Sequence, residues 1–160
     1  MKQIPLTQNK FAIIDDEDYD FLMQWKWMYN AKGPAVRSKH LYGSHDNAKR
    51  KMYYMHREIM KAKDNEEVDH KNHDPLDNRK INLRICNRSQ NLYNMRMNRK
   101  NTSGYKGVSW NKRRKRWMAQ ISIMNRTCVI GAFSAKSQAA RAYNAMARKL
   151  RGDFAWTNKV

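Results

Sequence analysis

The sequence is short of cysteine, of acidic residues and of long apolar runs, and each shortage excludes something. The two cysteines, Cys86 and Cys128, stand 42 residues apart and form no Cys-x-x-Cys pair. Neither a disulfide scaffold nor a cysteine-based zinc site is expected, and a reducing compartment fits. No stretch of 18 apolar residues occurs, and no basic segment followed by an apolar one begins the chain, so neither a membrane span nor a signal peptide is expected. Against 33 Lys and Arg there are only 14 Asp and Glu, a formal net charge of +19 over 160 residues. Such an excess repels itself in the free protein, and a polyanion is the simplest partner for it. Nucleic acid suits the charge better than a membrane surface does, and nothing in the composition calls for a small-molecule substrate.

The charge is unevenly spread. Residues 104–160 carry 13 basic side chains and one acid, Asp153, whereas residues 1–103 carry 20 and 13. The acids collect between Asp15 and Asp20 and between Glu58 and Asp77. Two modules with different tasks account for this better than one uniformly basic surface. Along the chain, residues 3–14 read as two short strands turning at Gln8-Asn9, and Asp15 or Asp16 caps a helix reaching about residue 24. Residues 25–29 alternate as a strand, Gly33-Pro34 is a turn, and 35–38 supply a partner strand. Residues 39–51 read as a polar loop in which His40 and His45 carry no signal. A strand over 52–55 leads into a short helix over 56–61. Residues 95–103 read as a linker. Three strands follow over 105–110, 116–124 and 127–133, with turns at 111–115 and at Asn125-Arg126. A helix over 136–151 is capped by Ser134 and stopped by Gly152. On that helix Ala139, Ala140, Tyr143, Ala147 and Leu150 recur at helical spacing and are expected to pack on the sheet.

The informative stretch is EVDHKNHDPLDNRKINLRICNRSQN, residues 67–91. Asp69 and His70 are adjacent, Asn82 lies 12 residues after His70, and Asn91 lies 21 after it. A neutral imidazole takes a proton from water near neutral pH, and carboxylate and amide oxygens are hard ligands suited to Mg²⁺ or Mn²⁺. The order and spacing, with the phrases LDNR, NLR and RSQN, resemble the HNH endonucleases, in the branch found in phage and intron homing enzymes. The resemblance covers about residues 52–95. It implies a ββα-metal fold gripping one divalent ion. By position, His70 is the implied general base, Asp69 and Asn91 the implied metal ligands, and Asn82 the residue that holds the backbone aiming the histidine. It further implies double-stranded DNA as substrate, with 5′-phosphate and 3′-hydroxyl products.

Two positions depart from the commonest pattern. Lys71 and His73 stand where an apolar residue and a glycine are expected. His73, three residues from His70, raises a histidine-based zinc or nickel site as an alternative, which lacks cysteines or a later histidine pair to complete it. His56 reads as a buried, hydrogen-bonded histidine rather than a catalytic one. Arg57 and Arg88 suit phosphate contact or a solvated surface equally well.

Residues 104–158 resemble the plant Apetala-type, ethylene-response-factor DNA-binding domain. The resemblance rests on Tyr105-Lys106-Gly107-Val108, Trp117-x-Ala119-x-Ile121, Gly131-x-Phe133, Ala139-Ala140-Arg141-Ala142-Tyr143 and Leu150-Arg151-Gly152. It implies a three-stranded antiparallel sheet backed by one helix, with the bare sheet face in the major groove. Alternation on the second strand agrees: Trp117, Ala119, Ile121 and Ile123 face the helix, and Arg116, Met118, Gln120 and Ser122 face away. The implied DNA contacts are Lys106, Ser109, Arg116, Gln120, Ser122 and Thr127, with Arg113 and Arg114 beside them in the basic turn. Lysine, serine and threonine partly replace the family's contact arginines, so its target sequence does not carry over.

The chain is thus expected to be α+β, with a nuclease module over 1–94 (core 52–94), a linker over 95–103 and a DNA-binding domain over 104–160. The expected activity is metal-dependent DNA cleavage by a monomer, nicking or cutting, encoded by a phage or mobile element and acting in the bacterial cytoplasm. The alternative is a non-enzymatic DNA-binding regulator on a nuclease-derived scaffold. RNA binding is a third reading, weakened by the resemblance to a DNA reader.

Overall fold

The computed structural model describes residues 1–42, 49–95, 97–98, 100–123 and 126–160. The chain divides into two compact units, Met1–Arg88 and Ser89–Val160. The sequence reading carried its first module to 94 and placed a linker at 95–103, of which Arg96 and Arg99 lie outside the described residues.

The first unit opens with an antiparallel pair, β1 (Lys2–Pro5) and β2 (Phe11–Ile14), in the register Lys2↔Ile14 to Pro5↔Phe11. Gln8 and Asn9 make the turn with φ of 63° and 52°, a left-handed backbone that Asn tolerates better than most residues. The helix expected up to residue 24 is only a 3-10 turn, Asp16–Asp18, and one helical turn, α1 (Tyr19–Leu22). Asp15 does not cap it, because its carboxylate instead accepts the Lys80 backbone N–H at 2.8 Å. The strand expected at 25–29 shrinks to β3 (Met28–Tyr29). Trp27 turns its ring into the core and donates its indole N–H to the Leu22 carbonyl at 2.8 Å, which satisfies the one polar atom of that ring.

The larger correction concerns residues 39–51. Most of that expected loop is strand: β4 (Ala35–Tyr42) pairs antiparallel with β5 (Lys49–Tyr54), and the order β3-β4-β5 makes a three-stranded sheet. Beyond Arg37 the described residues of the ribbon are exposed on both faces, so the apolar alternation that marks a half-buried strand is absent from the sequence. Its middle, residues 43–48 with His45, lies outside the described residues. Then come α2 (Met55–Met60), β6 (Glu67–His70) and β7 (Leu83–Cys86), the last two an antiparallel pair. Ile4, Ala12, Ile14, Leu22, Trp27, Ala35, Met55, Ile59, Val68 and Leu83 form one buried cluster that ties these elements together.

Helix α3 (Arg88–Asn94) begins at the boundary between the units. In the second unit β8 (Val108–Asn111), β9 (Arg116–Ile123) and β10 (Arg126–Phe133) form an antiparallel sheet in the order β10-β9-β8, and α4 (Lys136–Arg151) packs against it. Met124 and Asn125, the expected strand end and turn, lie outside the described residues. Ala139, Ala140, Tyr143 and Ala147 are buried, as the helical spacing predicts, but Leu150 is exposed, and it is Arg151 that reaches the sheet, donating to the Ser122 carbonyl at 3.0 Å. The N-cap is Ala135, not Ser134: its backbone N–H is taken by the Gln138 side chain at 3.4 Å, while the Ser134 hydroxyl turns to the same group. Met118, expected on the bare face, is buried, so that face is covered along part of its length. The carboxyl-terminal tail is fastened by Asn158, whose side chain bonds both backbone groups of Lys106 and whose own backbone exchanges two bonds with the Asn144 side chain.

Candidate active site

The site is built on the β6–β7 pair and the loop of residues 71–82 between them. Asp69 sits opposite Arg84 and His70 opposite Leu83 in the strand register. Successive strand residues point to opposite faces, so Asp69 and His70 leave the pair on different sides. Asp69 is buried, and its Oδ2 accepts from Arg84 Nε at 2.9 Å and from Nη2 at 2.6 Å. Two bonds from one planar guanidinium fix the carboxylate in orientation as well as neutralising it.

His70 is half-buried. Its Nε2 meets Asn78 Oδ1 at 3.2 Å, and its ring lies edge-to-face against His56 with centroids 5.1 Å apart. Asn78 is fully buried and its Nδ2 donates to the Leu76 carbonyl at 3.3 Å. The amide is therefore oriented with its oxygen toward the imidazole, which makes Nε2 the protonated nitrogen and leaves the ring's lone pair on Nδ1. Burial holds the His70 pKa below its ordinary value, against an opposing pull from the Asn78 bond and from Asp69, Asp74 and Asp77. The imidazole is thus neutral at neutral pH.

The neighbouring histidine is more extreme. Burial, then the His70 and Arg57 charges, push the His56 pKa down to about 3. Its buried Nδ1 has no hydrogen-bond partner among the described residues, which corrects the expectation of a hydrogen-bonded histidine. With the Tyr54 ring also packed near it, tilted by 41° at a centroid distance of 5.7 Å, His56 is a wall for His70.

Asn82 is buried and joins both limbs of the loop. Its Oδ1 accepts the Asn72 N–H at 3.0 Å, its Nδ2 donates to the Asp77 carbonyl at 2.7 Å, and its own carbonyl accepts the Lys71 N–H at 2.9 Å. Asp77 gathers Arg79 and Asn72 on its carboxylate, and the Arg79 hydrogen bond foremost holds its pKa down. From outside, strand β2 pins the loop: Ile13 donates to the Leu76 carbonyl and accepts from the Asn78 N–H, both at 2.8 Å. His73 has φ 62°, the left-handed backbone that explains why a glycine is expected there. The structure therefore brings Asp69, His70 and Asn82 together on one hairpin. Asn91 lies on α3 in the second unit. Sequence reading assigned no role to Asn78, Arg84 or Asp77, although two of them stand inside the quoted phrase LDNR. No group of three His, Cys, Asp or Glu side chains gathers into a metal-ligating cluster among the described residues.

In the second unit, the strand register puts Ser109, Arg116, Gln120, Ser122 and Thr127 on the sheet face away from α4. Arg113 and Arg114 are exposed in the turn, where the Arg114 N–H is held by Asn111 Oδ1 at 2.9 Å. Lys106 differs from these. Its ammonium is half-buried, donates to the Tyr93 and Met95 carbonyls, and is lowered by burial to a pKa of about 8. That amine serves its own unit before any ligand.

Residues 53–93 match the family model described as HNH endonuclease, a span that contains Asp69, His70, Asn82 and Asn91. The chain is 28% identical over 153 residues to "Uncharacterized HNH endonuclease L560" of Acanthamoeba polyphaga mimivirus, across 94% of this chain and 75% of that protein. It is 38% identical over 55 residues to "Protein 3.8" of Escherichia phage T7, across 34% of this chain and 46% of that protein. No solved structure matches the chain. No helix among the described residues is long and apolar enough to cross a membrane.

Proposed function

Starting from the HNH match over residues 53–93, we propose that the protein is a divalent-metal-dependent DNA endonuclease. The observation that carries the reading is the half-buried, neutral His70, held by Asn78 and next in sequence to the anchored Asp69. A neutral imidazole with a fixed tautomer is what a general base for water needs at neutral pH. His70 Nδ1 receives the proton of the attacking water, and Asn78 steadies the ring as it becomes cationic. His56 keeps bulk water from one side of that ring. Asn82 keeps the loop closed behind it, so the base is aimed without a conformational step.

The donor set fits a hard ion of the Mg²⁺ or Mn²⁺ type. Such an ion needs only one or two protein carboxylates when phosphate oxygens and water complete its shell, so one aspartate with amide help suffices. Asp69 and Asn91 are the residues proposed to hold it. When bound, it supplies charge neutralisation at the scissile phosphate and the departing 3′ oxygen. The products are then a 5′-phosphate and a 3′-hydroxyl. In this reading residues 104–160 form an Apetala-type DNA reader whose sheet face, with Arg113 and Arg114, holds duplex DNA. One active site per monomer nicks one strand per encounter, and a phage or mobile element is the proposed source.

The test is conversion of supercoiled plasmids from several DNA sources by the purified protein with Mg²⁺, with His70→Ala alongside. Loss of a positioned general base is worth about 100- to 10,000-fold in rate. Nicking by the wild type and not by the variant is expected. Equal amounts of intact plasmid in both would leave the non-enzymatic DNA-binding reading standing.

A further inference from the structure

We infer that the β4–β5 ribbon is a second DNA-contacting arm, belonging to the first unit and gripping the phosphates of duplex DNA along a groove. The inference rests on DNA being the substrate, and adds a place where it is held. The first unit, residues 1–88, carries 17 Lys and Arg against 13 Asp and Glu. Residues 35–54 hold five of those cations and one of those acids, so the remainder of the unit balances at twelve of each. The whole net positive charge of the unit therefore sits on one ribbon.

Its arrangement is unfavourable for the protein alone. Lys39 stands directly opposite Lys51. Like charges facing each other across a strand pair destabilise it, and among the described residues of the ribbon there is no carboxylate. Among the described residues Lys39, Lys49, Arg50 and Lys51 have no ion-pair partner, and all four are exposed. Lys49 and Lys51 lie over the rings of Tyr42 and Tyr53, at 5.5 and 5.3 Å, which aligns their stems along the ribbon.

The root, by contrast, is rigid. The Arg37 guanidinium sits 4.1 Å from the ring centroids of both Trp25 and Tyr53 and pairs with Glu58 at 3.2 Å. A firm base carrying a two-stranded, two-faced cationic ribbon suits the major groove of B-form DNA, which admits such a ribbon. The narrow major groove of A-form RNA does not admit it. Lys39, Lys49, Arg50 and Lys51 are the phosphate contacts.

The experiment measures binding of full-length His70→Ala protein to a mixed-sequence DNA duplex and to a matching RNA duplex, across a salt series without divalent metal. The comparison is the same protein carrying Lys39→Gln, Lys49→Gln, Arg50→Gln and Lys51→Gln. Each lost phosphate contact flattens the dependence of log K on log salt by about 0.9, so the slope on DNA is expected to fall by about three to four. An unchanged slope and affinity on DNA, with circular dichroism intact, overturns the inference. So does an equal loss on the RNA duplex. If the fourfold variant loses structure, Arg50→Gln and Lys51→Gln singly are each expected to flatten the slope by about one, and their failure to do so overturns it as well. Wild-type plasmid nicking is scored separately. A protein that shows the slope change and never cuts loses the nuclease reading alone, and one that cuts with the slope unaltered loses the ribbon alone.

Discussion

At the residue scale, His70, Asn78 and His56 divide one task. In the proposed reaction His70 takes the proton, Asn78 chooses which nitrogen is available, and His56 sets how dry the ring is. Burial lowers the His70 pKa, so the base stays neutral down to a lower pH than an ordinary histidine. Activity is lost as pH falls through that value, and the acid limb of kcat/KM for nicking is therefore expected to have its midpoint below 6.5. A midpoint above 6.5 would contradict the assignment. Asn78→Ala is expected to reduce nicking by about 10- to 100-fold, the usual cost of losing a residue that orients a first ligand or base. Nitrogen NMR of the free protein should show the Nε2–H tautomer of His70 in the parent and a mixture in the variant. His56 bears on stability instead. Its folded pKa of about 3 lies below the unfolded value near 6.5, so the unfolded state binds the extra proton between them. The stability it contributes is full above pH 6.5 and drains away toward pH 3, at about 1.4 kcal/mol for each pH unit. His56→Phe should flatten the acid side of the Tm-versus-pH curve; an unchanged curve would mean that another group governs it.

At the element scale, the 71–82 loop behaves as a rigid piece because Asn82 closes it. Asn82→Ala leaves the Asn72 N–H and the Asp77 carbonyl without partners and is expected to cost about 2–4 kcal/mol, seen as a shift of the urea midpoint. In the second unit Gly107 has φ 74°, and a Cβ there would collide with the Tyr143 ring and the Gln120 carbonyl. Gly107→Ala should destabilise the unit by at least about 2 kcal/mol by the same measurement. These elements also show where the sequence was readable. The strands and helix of the second unit have clean periods, and the Asp69, His70 and Asn82 spacings follow from a strand, a closed loop and the paired strand. The β4–β5 ribbon was not readable, because a strand exposed on both faces has no apolar alternation and is specified by its partner's backbone. Asn78 and Arg84 went unassigned for a related reason. Their importance lies in what they touch across the hairpin, and spacing alone does not give cross-strand register. Ser134 and Leu150 were misplaced by about one residue and one turn, the scale on which tertiary packing overrules helix-end signals.

At the scale of the whole molecule, the net positive charge lies on the ribbon of the first unit and in the second unit, while the hairpin of residues 67–86 carrying Asp69 and His70 balances at four acids and four bases. In the proposed reading the surfaces that grip DNA are distinct from the residues that cut it. The Asp69–Arg84 pair has a consequence of its own. With the guanidinium occupying Oδ2, the carboxylate is already neutralised when no ion is present, so the fold loses little by waiting empty. Chelation with EDTA is expected to abolish nicking while leaving the thermal midpoint within about 1 °C, unlike small domains whose folding energy is metal binding itself. A large fall in the midpoint would mean that the ion is structural. Otherwise the metal-free protein is dormant rather than unfolded.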